Sequence, residues 1–164
     1  MNPSGIQRTR RARGGFTIIE LLVVMAVLGI LAMGAFPLAE LAVQRDREQE
    51  LKRNLWQIRD GIDAYKRAVD TGLIAVPAGN PGYPPTLEAL VLGLPNAKTP
   101  GQRQFFLRRI PRDPFAAPGV AAEKSWGLRS FQSPPNAPQP GEDVYDVFST
   151  SDKIGLNGVP LKDW

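Results

Sequence analysis

Glu20 is the one ionisable side chain between Phe16 and Ala39, a run of 24 residues. A carboxylate in a spanning segment costs about 2–3 kcal/mol or more at the bilayer centre and less near an end, which makes it a functional candidate by default. Other chemistry is sparse. The chain has no cysteine and no histidine, which removes Cys/His metal sites, a Ser-His-Asp triad and a Cys-His dyad. Asp143 and Asp146 are the pair to offer as general acid and base. Nothing else supports catalysis, and carboxylates at a strand end are usually solvated, so an enzyme is not expected.

The element that positions Glu20 is the apolar run itself. From Leu21 to Ala39 no side chain is charged or strongly polar. At about 1.5 Å per residue a helix over this run is roughly 36 Å long, enough to cross a hydrocarbon core of about 30 Å. Arg8, Arg10, Arg11 and Arg13 precede it with no acid among them. That asymmetry places the N-terminus in the cytoplasm and the sequence after Ala39 across the membrane. A secretory signal peptide has a shorter apolar region, about 7–15 residues, and a small-residue cleavage site; this run is too long and has no Ala-x-Ala pattern closing it. A plain signal anchor fits the length but leaves Glu20 unexplained.

The run Gly14-Gly15-Phe16-Thr17-Ile18-Ile19-Glu20-Leu21-Leu22-Val23-Val24 resembles the processing site of type IV pilins and type II secretion pseudopilins. The resemblance implies a prepilin peptidase that cuts between Gly15 and Phe16 on the cytoplasmic side and methylates the new N-terminus, giving N-methylphenylalanine at Phe16. It makes Glu20 the family's glutamate and Pro37 its helix-bending proline. Packed into a helical filament of like subunits, the helices exchange lipid for protein, where an unpaired carboxylate is costly. The positive N-terminus of a neighbouring subunit then neutralises Glu20, and the pairing sets the stagger of assembly.

Charge agrees with this division. The 164-residue chain has a formal charge of +4 and a pI near 9.7. The leader, residues 1–15, holds four of the twenty Lys and Arg residues and none of the sixteen Asp and Glu, so the rest balances at sixteen against sixteen. With no basic patch beyond the leader, nucleic-acid binding is not expected. The organisation expected is a leader at 1–15, a membrane or filament-core helix at 16–39, an amphipathic continuation at 40–72, and a periplasmic globular domain at 73–164. Gly29 and Gly34 are small positions open to close helix approach. Pro37 removes one backbone hydrogen bond and should bend or loosen the helix.

Beyond the polar stretch at 44–50, Leu51, Leu55, Ile58, Ile62, Tyr65 and Val69 recur at spacings of four and three, an apolar stripe that docks the helix on its own domain. Thr71-Gly72 marks its end. Proline and glycine then make 73–85 a loop, Thr86 is the expected N-cap of a short helix to Leu92, and strands are expected at 125–131, 144–149 and, weakly, 158–162.

Tyr83-Pro84-Pro85-Thr86-Leu87-Glu88-Ala89-Leu90, Ile110-Pro111-Arg112-Asp113-Pro114-Phe115 and Tyr145-Asp146-Val147-Phe148-Ser149 resemble passages of the major pseudopilin. The resemblance implies an α+β, type IV pilin-like fold: a long N-terminal helix packed on a small antiparallel β-sheet, with a loop-rich C-terminal region. It implies a structural subunit of a type II secretion pseudopilus. Its partners would be an inner-membrane assembly platform, minor pseudopilins and, before assembly, membrane lipid. It also implies calcium in the C-terminal loop, which needs several hard oxygen ligands. Here the loop offers Asp152 and Asn157, with Asp163 further on, and Lys153 adds a cation; a hydrogen-bonded turn built on Asp152 and Asn157 is the competing expectation. Two other functions stay open: a type IV pilin or minor pilin for adhesion, motility or DNA uptake, and a membrane-anchored periplasmic binding module that never polymerises.

Overall fold

The computed structural model describes residues 15–164, with the side chains of residues 34–37 excepted. The leader expected at 1–15 therefore lies outside the described residues except for Gly15, as does the bend expected at Pro37. The chain divides after Leu41 into two compact units.

Helix α1 spans Ile18–Asp70, 53 residues. Thr17 starts it: its carbonyl accepts the Leu21 N–H at 3.1 Å, the first intrahelical bond, and its Oγ1 accepts the backbone N–H of Glu20 at 3.3 Å, satisfying one donor that a helix N-terminus otherwise leaves open. In the first unit the apolar side chains are exposed, Phe16 and Ile18 each at 81%. The 18-residue apolar window of α1 has a mean hydropathy of 2.6 and none of it is buried within the chain, an apolar surface of the kind that marks an interaction site. One helix among the described residues is long and apolar enough to cross a membrane.

In the second unit the stripe read from the sequence is the core. Leu51, Leu55, Ile58, Ile62 and Tyr65 are all 3% exposed or less, and Val69 packs against them. Ala68 lies on the same helix, and Ile74, Leu87, Leu90, Leu107, Trp126, Val144, Val147 and Leu161 close over that face. Gly61 belongs to the same packing: a Cβ there would lie 3.0 Å from Cγ and 3.1 Å from Cδ2 of Leu107. The helix ends as expected. Gly72 takes φ 69°, its N–H donates to the Val69 carbonyl at 2.9 Å, and the Leu73 N–H donates to the Ala68 carbonyl at 2.8 Å, the paired closure that a left-handed glycine permits.

The sheet is smaller than the sequence suggests and comes in two separate ribbons. β1 (Leu94–Pro95) pairs antiparallel with β2 (Arg103–Gln104), and β3 (Trp126–Arg129) with β4 (Asp146–Ser149), Trp126 opposite Ser149 and Arg129 opposite Asp146. The segment 158–162 is not a strand. Ile154 and Pro160 form a single bridge, and Leu161–Asp163 turns into a 3-10 helix, because Gly158 sits at φ 80° and Pro160 has no N–H to extend a ladder. Thr86 is not the cap either. The short helix α2 spans only Ala89–Leu92, with Glu88 at its N-cap and no side-chain hydrogen bond there; the Thr86 carbonyl instead receives the Ala89 N–H at 3.2 Å.

Candidate functional site

Gly15, Phe16 and Thr17 precede the helix without regular structure, and Phe16 is exposed. The Gly15–Phe16 peptide bond thus lies in an exposed segment outside the helix. Glu20 falls in the first turn of α1, where the unpaired N–H groups make the helix end partially positive and offset a carboxylate. Its side chain is exposed, free to meet a group from another chain. Thr17 went unassigned in the sequence although Thr17-x-x-Glu20 carries the capping-box signature; the Thr17 half of that box is formed.

A family model described as the prokaryotic N-terminal methylation motif matches residues 10–36, which hold Gly15, Phe16 and Glu20. The type II secretion system core protein G of Pseudomonas aeruginosa is 32% identical over 115 residues, covering 66% of this chain and 72% of that protein. The chain belongs to the core protein G family. Another member, from Klebsiella michiganensis, is 26% identical over 161 residues, covering 94% of this chain and 91% of its own length. The member from Vibrio cholerae is 29% identical over 109 residues, 64% of this chain and 67% of its own. No solved structure matches this chain.

In this core protein G family member the carboxylates considered for acid–base chemistry are structural. Asp146 Oδ1 accepts Arg59 Nε at 2.8 Å, and Oδ2 accepts Arg129 Nη2 at 3.3 Å. Asp143 is 6% exposed and its Oδ1 accepts the Phe131 N–H at 2.8 Å. Neither is a loose, solvated strand-end group: each is held in place by donors from neighbouring segments. Asp113, quoted above only for resemblance, is fully buried. Its Oδ1 accepts the Phe115 N–H at 2.7 Å, its Oδ2 accepts the Ser149 hydroxyl at 2.6 Å, and its own N–H donates to Ser125 Oγ at 3.0 Å. One aspartate thus knits the Asp113-Pro114-Phe115 turn to the segments carrying β3 and β4. On the far side, Tyr83, Phe131 and Tyr145 cluster with ring centroids 5.0–5.6 Å apart, and Arg129 lies 4.6 Å from the Tyr145 ring. Burial lifts the Tyr83 hydroxyl above the usual phenol range, with the neighbouring Tyr145 adding to it.

Asp152, Asn157 and Asp163 are all exposed. Asn157 Oδ1 is engaged by the Val159 N–H at 3.1 Å. Asp163 lines a cleft with Arg59, Arg129, Lys162 and Asp146, a lining that includes neither Asp152 nor Asn157. Among the described residues no group of three or more Asp, Glu, His or Cys side chains is placed to hold a metal ion. These three side chains by themselves supply fewer than the six to eight oxygens that calcium takes. Of the competing turn, the Asn157 half is seen.

Proposed function

We propose that this chain is a structural subunit of a type II secretion pseudopilus, cut between Gly15 and Phe16, methylated at Phe16, and drawn out of the inner membrane into a helical filament. The observation that carries the reading is the N-terminal methylation motif at residues 10–36, leading straight into a helix whose first unit is apolar on its exposed surface. Membership of the core protein G family supplies the secretion system. It also supports a structural role rather than an enzymatic one.

Physically, removal of the arginine-rich leader leaves an apolar rod with one carboxylate near its start and a new amine beside it. Within lipid that carboxylate sits near the interface, where the cost is small. Within a filament it needs a cation, and the N-terminal amine of an adjacent subunit provides one. Any other register buries a charge alone, which costs about 3–5 kcal/mol, so the pair selects the stagger. The globular unit follows on the periplasmic side, as the leader's positive charge dictates. The prepilin peptidase, an inner-membrane assembly platform and minor pseudopilins are the partners of this reading. Calcium at Asp152, Asn157 and Asp163 would be an addition from the family, held apart from it.

The intact mass of the membrane-extracted protein tests processing. The expected mass lacks Met1 through Gly15 and gains one methyl group. A protein that keeps its leader in a host with an active prepilin peptidase overturns the reading.

A further inference from the structure

We infer that the C-terminal loop of this chain is latched to α1 by protein groups alone, Glu48 being the central one, and does not depend on calcium for its order. Three side chains of α1 carry the latch. Glu48, Lys52 and Arg59 are separated by four and seven residues, which at about 100° per residue sets them within about 40° of one another on a single helix face, spread over about 16 Å of its length.

Glu48 is 7% exposed, and its Oε1 accepts the Leu156 N–H at 2.8 Å and Gln44 Nε2 at 2.9 Å. It forms no ion pair among the described residues. A charged acceptor shielded from water, with a backbone N–H as one of its two donors, is a strong and directional tie. Lys52 Nζ lies 4.5 Å from the centre of the Trp164 ring. The indole also packs on Gly155, where a Cβ would lie 2.5 Å from Trp164 Cζ2, so only glycine lets the loop and the indole stack. Arg59 Nη2 donates to the carbonyls of Trp164 at 3.0 Å and Val147 at 3.2 Å. Within the loop, Gly155 N–H donates to the Val159 carbonyl and Leu161 N–H to the Lys153 carbonyl, both at 2.9 Å, while Leu161 is 1% exposed in the core. Each end and the middle of the loop is therefore anchored. Of the oxygens expected to bind an ion, Asn157 Oδ1 accepts the Val159 N–H and Asp163 lines the cleft beside Arg59, while Lys153 adds a cation to the loop.

Assembly plays no part in the latch, so it is measurable on the unpolymerised full chain in detergent. Amide hydrogen exchange reads it directly. Glu48→Ala should raise the exchange rate of the Leu156 N–H at least about tenfold while the Val147 N–H in β4 keeps its protection, and Glu48→Gln, which retains an oxygen for Leu156, should keep most of it. Lys52→Ala, too mild to threaten folding, should loosen Trp164 and raise its solvent quenching. In the unmutated chain, millimolar calcium chloride or a calcium chelator should move Tm by less than about 1 °C. Unchanged exchange at Leu156 in Glu48→Ala, or a Tm that rises by several degrees with calcium and falls with chelator, overturns the inference.

Discussion

The hydroxyl of Thr17 caps the backbone of Glu20, its Oγ1 lying 3.3 Å from the Glu20 nitrogen. Thr17 thus fixes the first turn of α1, the turn that carries Glu20. Losing a threonine cap costs a helix about 1 kcal/mol. Thr17→Ala should therefore fray this turn, seen as faster amide exchange at Ile18 to Leu21 in detergent, with cleavage after Gly15 retained. Unaltered exchange there would show the cap to be idle.

Glu20 itself is tested by Glu20→Leu. The variant should insert in the membrane and lose its leader as before, because the apolar run is lengthened rather than broken. Filament yield should fall at least about tenfold, since a neighbouring amine is then buried without its counter-charge, a loss of about 3–5 kcal/mol per contact. Filaments of unchanged rise and abundance by electron microscopy would refute the pairing.

Gly61 separates helix propensity from packing. Alanine is favoured over glycine inside a helix by about 1 kcal/mol, but here the new Cβ meets Leu107 at 3.0 Å. Leu107 is 7% exposed and belongs to the packed core. Gly61→Ala should lower Tm by about 3–6 °C. In a Leu107→Ala background the same change should turn stabilising, and additive effects in that double-mutant cycle would disprove the contact.

Asp146 joins α1 to both strands of the larger ribbon through Arg59 and Arg129, with side-chain exposures of 35%, 26% and 17% for Arg59, Asp146 and Arg129. Partial exposure screens such pairs. Asp146→Ala should still cost about 1.5–3 kcal/mol, because two guanidinium groups lose their acceptor together. Urea unfolding at low and high salt checks this: the cost should shrink as salt rises. A salt-independent loss would point to packing instead of charge.

Much of this protein is legible along the chain. The apolar run marks a helix long and apolar enough to cross a membrane through length and hydropathy, which need no tertiary partner. The four-and-three spacing from Leu51 to Val69 names the buried face of α1 because helical periodicity alone puts those residues on one side. Gly72 marks the helix end because only glycine takes its positive φ without strain.

What the fold alone decided lies in contacts between residues far apart in sequence. Asp143 and Asp146 look like free acids until the segments that supply Phe131 N–H, Arg59 and Arg129 are folded against them. Glu48 reads as one more charge in a polar stretch; burial against Leu156, 108 residues on, makes it an anchor. Asn157 and Asp163 are close in sequence, yet one accepts the Val159 N–H and the other lines the cleft beside Arg59, because Gly158 and Pro160 turn the chain where a strand was expected. Local pattern sets which helix forms and which face it hides. The use made of each polar group depends on which distant donors the folded chain brings to it.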